Sequence, residues 1–145
     1  MMNPPQTDLT VFAALPQAAR DARTVTTRVL FAWELSHLTE TAILLVSELI
    51  TNALAHAGGV IDPPDDLSEL LGKVATVMLC ISRRELLVVE VWDQSPIPPA
   101  IRAAPDDAES GRGLELVDVL SKEWGCNVLA TGGKIVWFAL ETESV

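Results

Sequence analysis

After Pro16, apolar residues recur at Ala18, Ala22, Val25, Val29 and Trp33, the three- and four-residue steps that keep one face of an α-helix turned to a core. Pro16 suits a first helical position, so a helix is predicted over 16–34. A second apolar stretch, Ile43-Leu44-Leu45-Val46 with Ala53-Leu54-Ala55, reads as the buried side of a longer helix. Ser36 or Thr39 can cap its start, and Gly58-Gly59 stops it just past Ala57. Residues 8–15, bounded by Pro4-Pro5 and Pro16, suit a short edge strand. Runs at 74–81 and 85–92, joined at Ser82-Arg83-Arg84, predict an antiparallel hairpin. Leu114, Val117 and Leu120, with Trp124, mark the buried face of a third helix. Two last strands, 126–130 and 134–141, are joined by Thr131-Gly132-Gly133. No repeat or linker interrupts this order. The expected fold is one α/β two-layer sandwich, a mixed, mostly antiparallel sheet with helices on one face.

With 145 residues the chain fits one domain of the usual size, about 100 to 150 residues. Its hydrophobic content of 49% and mean hydropathy of +0.31 argue against disorder. No uninterrupted apolar run approaches the ~18 to 20 residues that cross a bilayer. Met1-Met2-Asn3-Pro4-Pro5 lacks the basic start and apolar stretch of a signal peptide, so a cytoplasmic protein without membrane contact is expected. The net charge of -10 opposes direct nucleic-acid binding, which rests on Lys and Arg contacts to phosphate. Cys80 and Cys126 form no metal pattern and are expected to be reduced and packed; a disulfide between them is the alternative. Two segments resist assignment. Residues 60–72 are an acidic, proline-containing connection, either a tolerated insertion or a partner-specific loop. Residues 97–109, rich in Pro, Ala and acid without a period, are either functional or disordered.

Within the second helix, Glu48 and Asn52 stand one turn apart on the same face among apolar neighbours. Buried there, a carboxylate and an amide need partners, because an unpartnered buried amide costs roughly 1 to 3 kcal/mol and a charge more. A metal ion with its phosphate ligand satisfies both; a solvated stripe on an amphipathic helix is the plainer reading. His56, a further turn along, either meets the helix dipole or touches a ligand. Arg20, Arg23 and Arg28 form a solvated face or a partner contact. The strand at 85–92 runs into Asp93, and Ser110-Gly111-Arg112-Gly113-Leu114 opens the third helix. Glycines let backbone N–H groups approach phosphate oxygens, and a helix start favours the anion.

A helix bearing Glu48 and Asn52, a strand-end Asp93, then Gly111-x-Gly113-Leu114 at a helix start resembles the N, G1 and G2 boxes of the GHKL ATPase superfamily. The closest likeness is to its small, single-domain branch, the bacterial anti-sigma factor serine kinases. It covers residues from about 10 to 141, including the closing hairpin Gly132-Gly133-Lys134-Ile135-Val136-Trp137. The resemblance implies a GHKL (Bergerat) fold for residues 1–145, with 1–7 flexible and 94–110 as an ATP lid. It implies ATP and Mg2+ as cofactors, Asn52 as the Mg2+ ligand and Glu48 as the catalytic base that activates a partner's serine or threonine hydroxyl. Asp93 would accept from the adenine amino group and so select ATP over GTP, an acid that merely starts a turn being the alternative, while Gly111, Gly113 and Leu114 would bind the phosphates, with Arg112 either a further phosphate contact or simply exposed. Lys134 is either a phosphate contact or a solvated hairpin lysine. The implied partner is a protein such as a sigma factor or an anti-anti-sigma factor, and homodimers occur among such relatives. Catalysis by phosphoryl transfer is the first functional reading; a non-catalytic, ATP-gated protein-binding module is the alternative. A sensor histidine kinase fragment is disfavoured, since His37 and His56 lie in or beside the ATP-binding unit and no phosphoacceptor helix is present. Two departures stand out: Asp93-Gln94-Ser95-Pro96-Ile97 has no glycine where a G1 box reads Asp-x-Gly-x-Gly, and Ile135 stands where a hydroxyl residue is expected.

Overall fold

A computed structural model describes residues 6–57, 75–95 and 108–143. Five strands, β1 (Gln6–Ala13), β2 (Thr76–Arg83), β3 (Leu86–Asp93), β4 (Glu123–Val128) and β5 (Lys134–Glu141), form one sheet in the order β1-β2-β3-β5-β4. Every described pairing is antiparallel, so no parallel component is found in the sheet among these residues. β3 and β5 pair over their full length, and their register sets Asp93 opposite Lys134.

Side chains alternate across the pleat. Val77, Leu79 and Ile81 of β2, Leu87, Val89 and Val91 of β3, and Val136, Phe138 and Leu140 of β5 are buried in one core. Helices α1 (Ala18–Ala32) and α2 (Thr39–Ala57) supply the other layer. α1 contributes Ala18, Ala22, Val25 and Val29 at the helical steps seen in the sequence, and α2 contributes Leu45, Val46, Leu49, Ile50 and Ala53. Each fully buried Leu or Ile is worth about 1.5 to 3 kcal/mol, so this layer carries much of the stability. The segment Ser36–Ala55 reaches a mean hydropathy of 1.3 over 20 residues, long and apolar enough by composition to span a bilayer; here its apolar face packs on β2, β3 and β5. A third helix, α3 (Ala108–Leu120), packs against α2 through buried Leu114 and Val117.

Several boundaries shift. α1 begins at Ala18 after a turn through Pro16 and Gln17, and it ends where Glu34 takes a left-handed φ of 59°. Arg83 donates to the Trp33 carbonyl at 3.0 Å, a cation satisfying an orphan carbonyl past the helix end. A short 3-10 turn, Ser36–Leu38, precedes α2. β4 starts at Glu123, earlier than expected, which removes Trp124 from the third helix; its indole donates back to Asp118 at 2.8 Å. Leu120, expected in the core, is exposed at the helix end. Both cysteines are free, as expected. The connection 60–72 and Gly58-Gly59 lie outside the described residues.

Candidate functional site

α2 packs simultaneously on α3, β3 and β5, so the helix carrying Glu48 and Asn52 is bound to the elements carrying the other two motifs. Glu48 and Asn52 are half-buried, flanked by fully buried Leu45, Leu49 and Ala53. Burial raises the Glu48 carboxyl above its usual range, because removing solvent disfavours the charged form. Asn52 presents a buried Oδ1 with no hydrogen-bond partner.

Asp93 sits at the end of β3, in the inward-facing series of Leu87, Val89 and Val91, and is only 1% exposed. Its Oδ1 accepts the Ser95 backbone N–H at 2.8 Å and a hydrogen bond from Lys134 Nζ at 3.0 Å. Lys134 Nζ also lies 2.8 Å from Oδ2 as an ion pair, too poorly aligned to count as a hydrogen bond, so Oδ2 is without one. Among the described residues three buried side-chain oxygens have no hydrogen-bond partner, Gln6 Oε1, Asn52 Oδ1 and Asp93 Oδ2, and two of them are the atoms that the resemblance assigns to metal and to adenine. Such orphaned acceptors cost free energy in a folded chain and call for an explanation.

Lys134 corrects one expectation. Neither solvated nor free to wander, its side chain is fully buried and tied to Asp93 and, at 3.5 Å, to the Ser95 carbonyl. The sequence held the signal: Lys134 shares strand parity with Val136 and Phe138 and so falls on the inward face. The preceding Gly133 is also buried, with φ +85°, and a Cβ there would stand 2.4 Å from the Asp93 carbonyl oxygen. Only glycine allows the β4–β5 hairpin to come this close to the end of β3.

The residues expected to bind phosphate lie in a different local structure from that expected. Gly111, Arg112 and Gly113 lie inside α3, which starts at Ala108, and Leu114, expected to begin the helix, instead sends its side chain into the core. The side chains of Arg112 and His56 lie outside the description, as do residues 96–107 of the expected lid. Among the arginines of α1, Arg23 donates to Ser47 Oγ at 3.3 Å. Arg20 and Arg28 are exposed and line, with Phe31 and Ile43, a surface depression of about 540 Å3 that includes none of the expected site residues.

The donor set suits a hard divalent ion. Magnesium takes one or two protein oxygens and completes its shell with water and phosphate, and Asn52 Oδ1 is a neutral oxygen awaiting a partner. Among the described residues no cluster of three or more His, Cys, Asp or Glu could cage a metal alone.

No curated protein shows a match to the chain. The crystal structure of the RsbU and RsbW domains of Rv1364c from Mycobacterium tuberculosis is similar in fold, with a TM-score of 0.62 at 17% identity. The match covers 99% of this chain and 34% of that one, so the chain spans about a third of its length. The family model of the histidine kinase-like ATPase domain matches residues 12–140. With β2, β3, β4, nearly all of β5, the Glu48–Asn52 helix and the strand-end Asp93 falling within that span, the chain belongs to the histidine kinase-like ATPase domain family.

Proposed function

We propose that the chain is a cytoplasmic, ATP- and Mg2+-dependent protein serine/threonine kinase of the anti-sigma factor type, acting on a partner such as a sigma factor or anti-anti-sigma factor. The observation that carries this reading is the pair on α2: a half-buried carboxylate one turn from an unpartnered amide oxygen. Asn52 Oδ1 is the group that would hold Mg2+, and the bound ion would offset the charge of the phosphates. Glu48 would accept the proton of the partner's hydroxyl as its oxygen bonds to the γ-phosphorus and the bond from that phosphorus to the β–γ bridging oxygen breaks, with ADP as the leaving group. A general base works best when its pKa approaches the working pH, and burial moves Glu48 in that direction. Asp93 Oδ2 would accept from the base's amino group, and the N-terminal part of α3 would take the phosphates.

The test is phosphotransfer. Proteins that co-purify with the chain are incubated with Mg-ATP and analysed by mass spectrometry for a stoichiometric phosphoserine or phosphothreonine, with the wild type and with Glu48→Gln. Loss of ~10²- to 10⁴-fold in rate with intact ATP binding supports the kinase. A wild type that binds ATP and its partner without ever phosphorylating it sinks the kinase and supports an ATP-gated binding module.

A further inference from the structure

The carboxylate at the end of β3 is held on one oxygen by two donors, the Ser95 N–H and Lys134 Nζ. Its other oxygen faces the same ammonium without a formed hydrogen bond. A carboxylate oxygen has room for two acceptor directions, so Oδ2 keeps capacity for a ligand donor while its charge is compensated. The hairpin supplies this arrangement: Gly133 approaches the Asp93 backbone as no other residue can, and the strand register then delivers Lys134 directly opposite. The loop after Asp93 lacks the glycines of a G1 box, and the close backbone approach at this corner comes from the β4–β5 hairpin instead.

We infer that Lys134 is a positioning residue for base recognition, holding the Asp93 carboxylate so that Oδ2 remains the acceptor that favours a 6-amino over a 6-oxo purine. The inference rests on the reading of Asp93 as the base-contacting group. With Lys134 gone, only the Ser95 N–H among the described contacts of Asp93 restrains the carboxylate, and an uncompensated buried charge turns towards water. Its acceptor direction is then lost, and with it the discrimination between the two kinds of purine.

Calorimetric titration of Mg-ATP and Mg-ITP into the wild type, Asp93→Asn, Lys134→Met and the double variant tests this. The wild type is expected to prefer ATP by about tenfold or more, as one hydrogen bond to a charged group allows. Lys134→Met should bring that preference close to unity, and in the Asp93→Asn background it should change the preference no further. Equal weakening of ATP and ITP by Lys134→Met means a purely structural lysine and overturns the inference, as do effects of the two substitutions that multiply. If Lys134→Met fails to fold, the double variant, which removes both charges, is compared with Asp93→Asn: equal preferences support the inference and unequal ones overturn it. Asp93→Asn with wild-type preference removes Asp93 from the base and takes the underlying reading down too; an intact preference effect of Asp93→Asn without one of Lys134→Met defeats the inference alone.

Discussion

Replacing Gly133 by alanine adds one methyl group at a place where the structure allows none. Two penalties combine. The residue has φ +85°, a region that costs a residue with a Cβ about 1 to 2 kcal/mol. The new Cβ also meets the Asp93 carbonyl oxygen at 2.4 Å, Trp92 Nε1 at 3.2 Å and Gln94 Cα at 3.3 Å; two of these are backbone atoms, which yield less readily than a side chain. Overpacking of this kind typically costs about 1 to 3 kcal/mol, giving a total of about 2 to 5 kcal/mol against a domain stability of ~5 to 15 kcal/mol. Gly132 provides the control, since its φ is +101° but nothing lies within 4 Å of its Cβ position. Gly132→Ala should therefore lose only the backbone part, about 1 to 2 kcal/mol. Urea denaturation followed by tryptophan fluorescence measures both, with the m-value checked for constancy. ATP affinity should fall further for Gly133→Ala, because the strand end that must yield carries Asp93. Equal stability losses for the two variants would refute the close-approach argument.

Glu48→Gln should stabilise the fold at neutral pH. The folded state holds the Glu48 proton more tightly than the unfolded chain does, so stability falls as pH rises from the ordinary carboxylate range through the raised folded-state value; the gap between the melting temperatures of the two proteins should open across that window and stay constant above it, and a gap that does not change with pH would contradict the burial effect. Asn52→Leu removes an oxygen that has no protein hydrogen bond, so the apo protein should melt no lower, while stabilisation by Mg-ATP shrinks at least tenfold in affinity; a large apo destabilisation would show that the amide is structural. Gly111→Ala with Gly113→Ala should act with opposite signs on stability and binding: both sites are helical, where alanine gains about 1 kcal/mol each over glycine, whereas closer phosphate approach is blocked, so ATP should weaken more than AMP. A lower melting temperature together with equal losses for both nucleotides would rule against a phosphate cradle inside α3.

The alternation of apolar residues fixed which stretches are helices and strands, because burial period is a local property: Val25, Val29, Leu45 and Leu49 had to face a core whatever their neighbours were. The Glu48–Asn52 pair was legible for the same reason, a four-residue step being enough to put both on one helical face. Element ends were less legible, since the start of α1 at Ala18, the start of α3 at Ala108 and the early onset of β4 at Glu123 depend on competition between helix, turn and strand pairing across the chain. What only the tertiary structure decided is the partner of Asp93. Lys134 is 41 residues away in sequence, and no local pattern states that β5 pairs with β3 in a register that sets the two charges opposite each other. Strand parity could point the lysine inward, but the register and the Gly133 contact bring its ammonium to the carboxylate that compensates its buried charge.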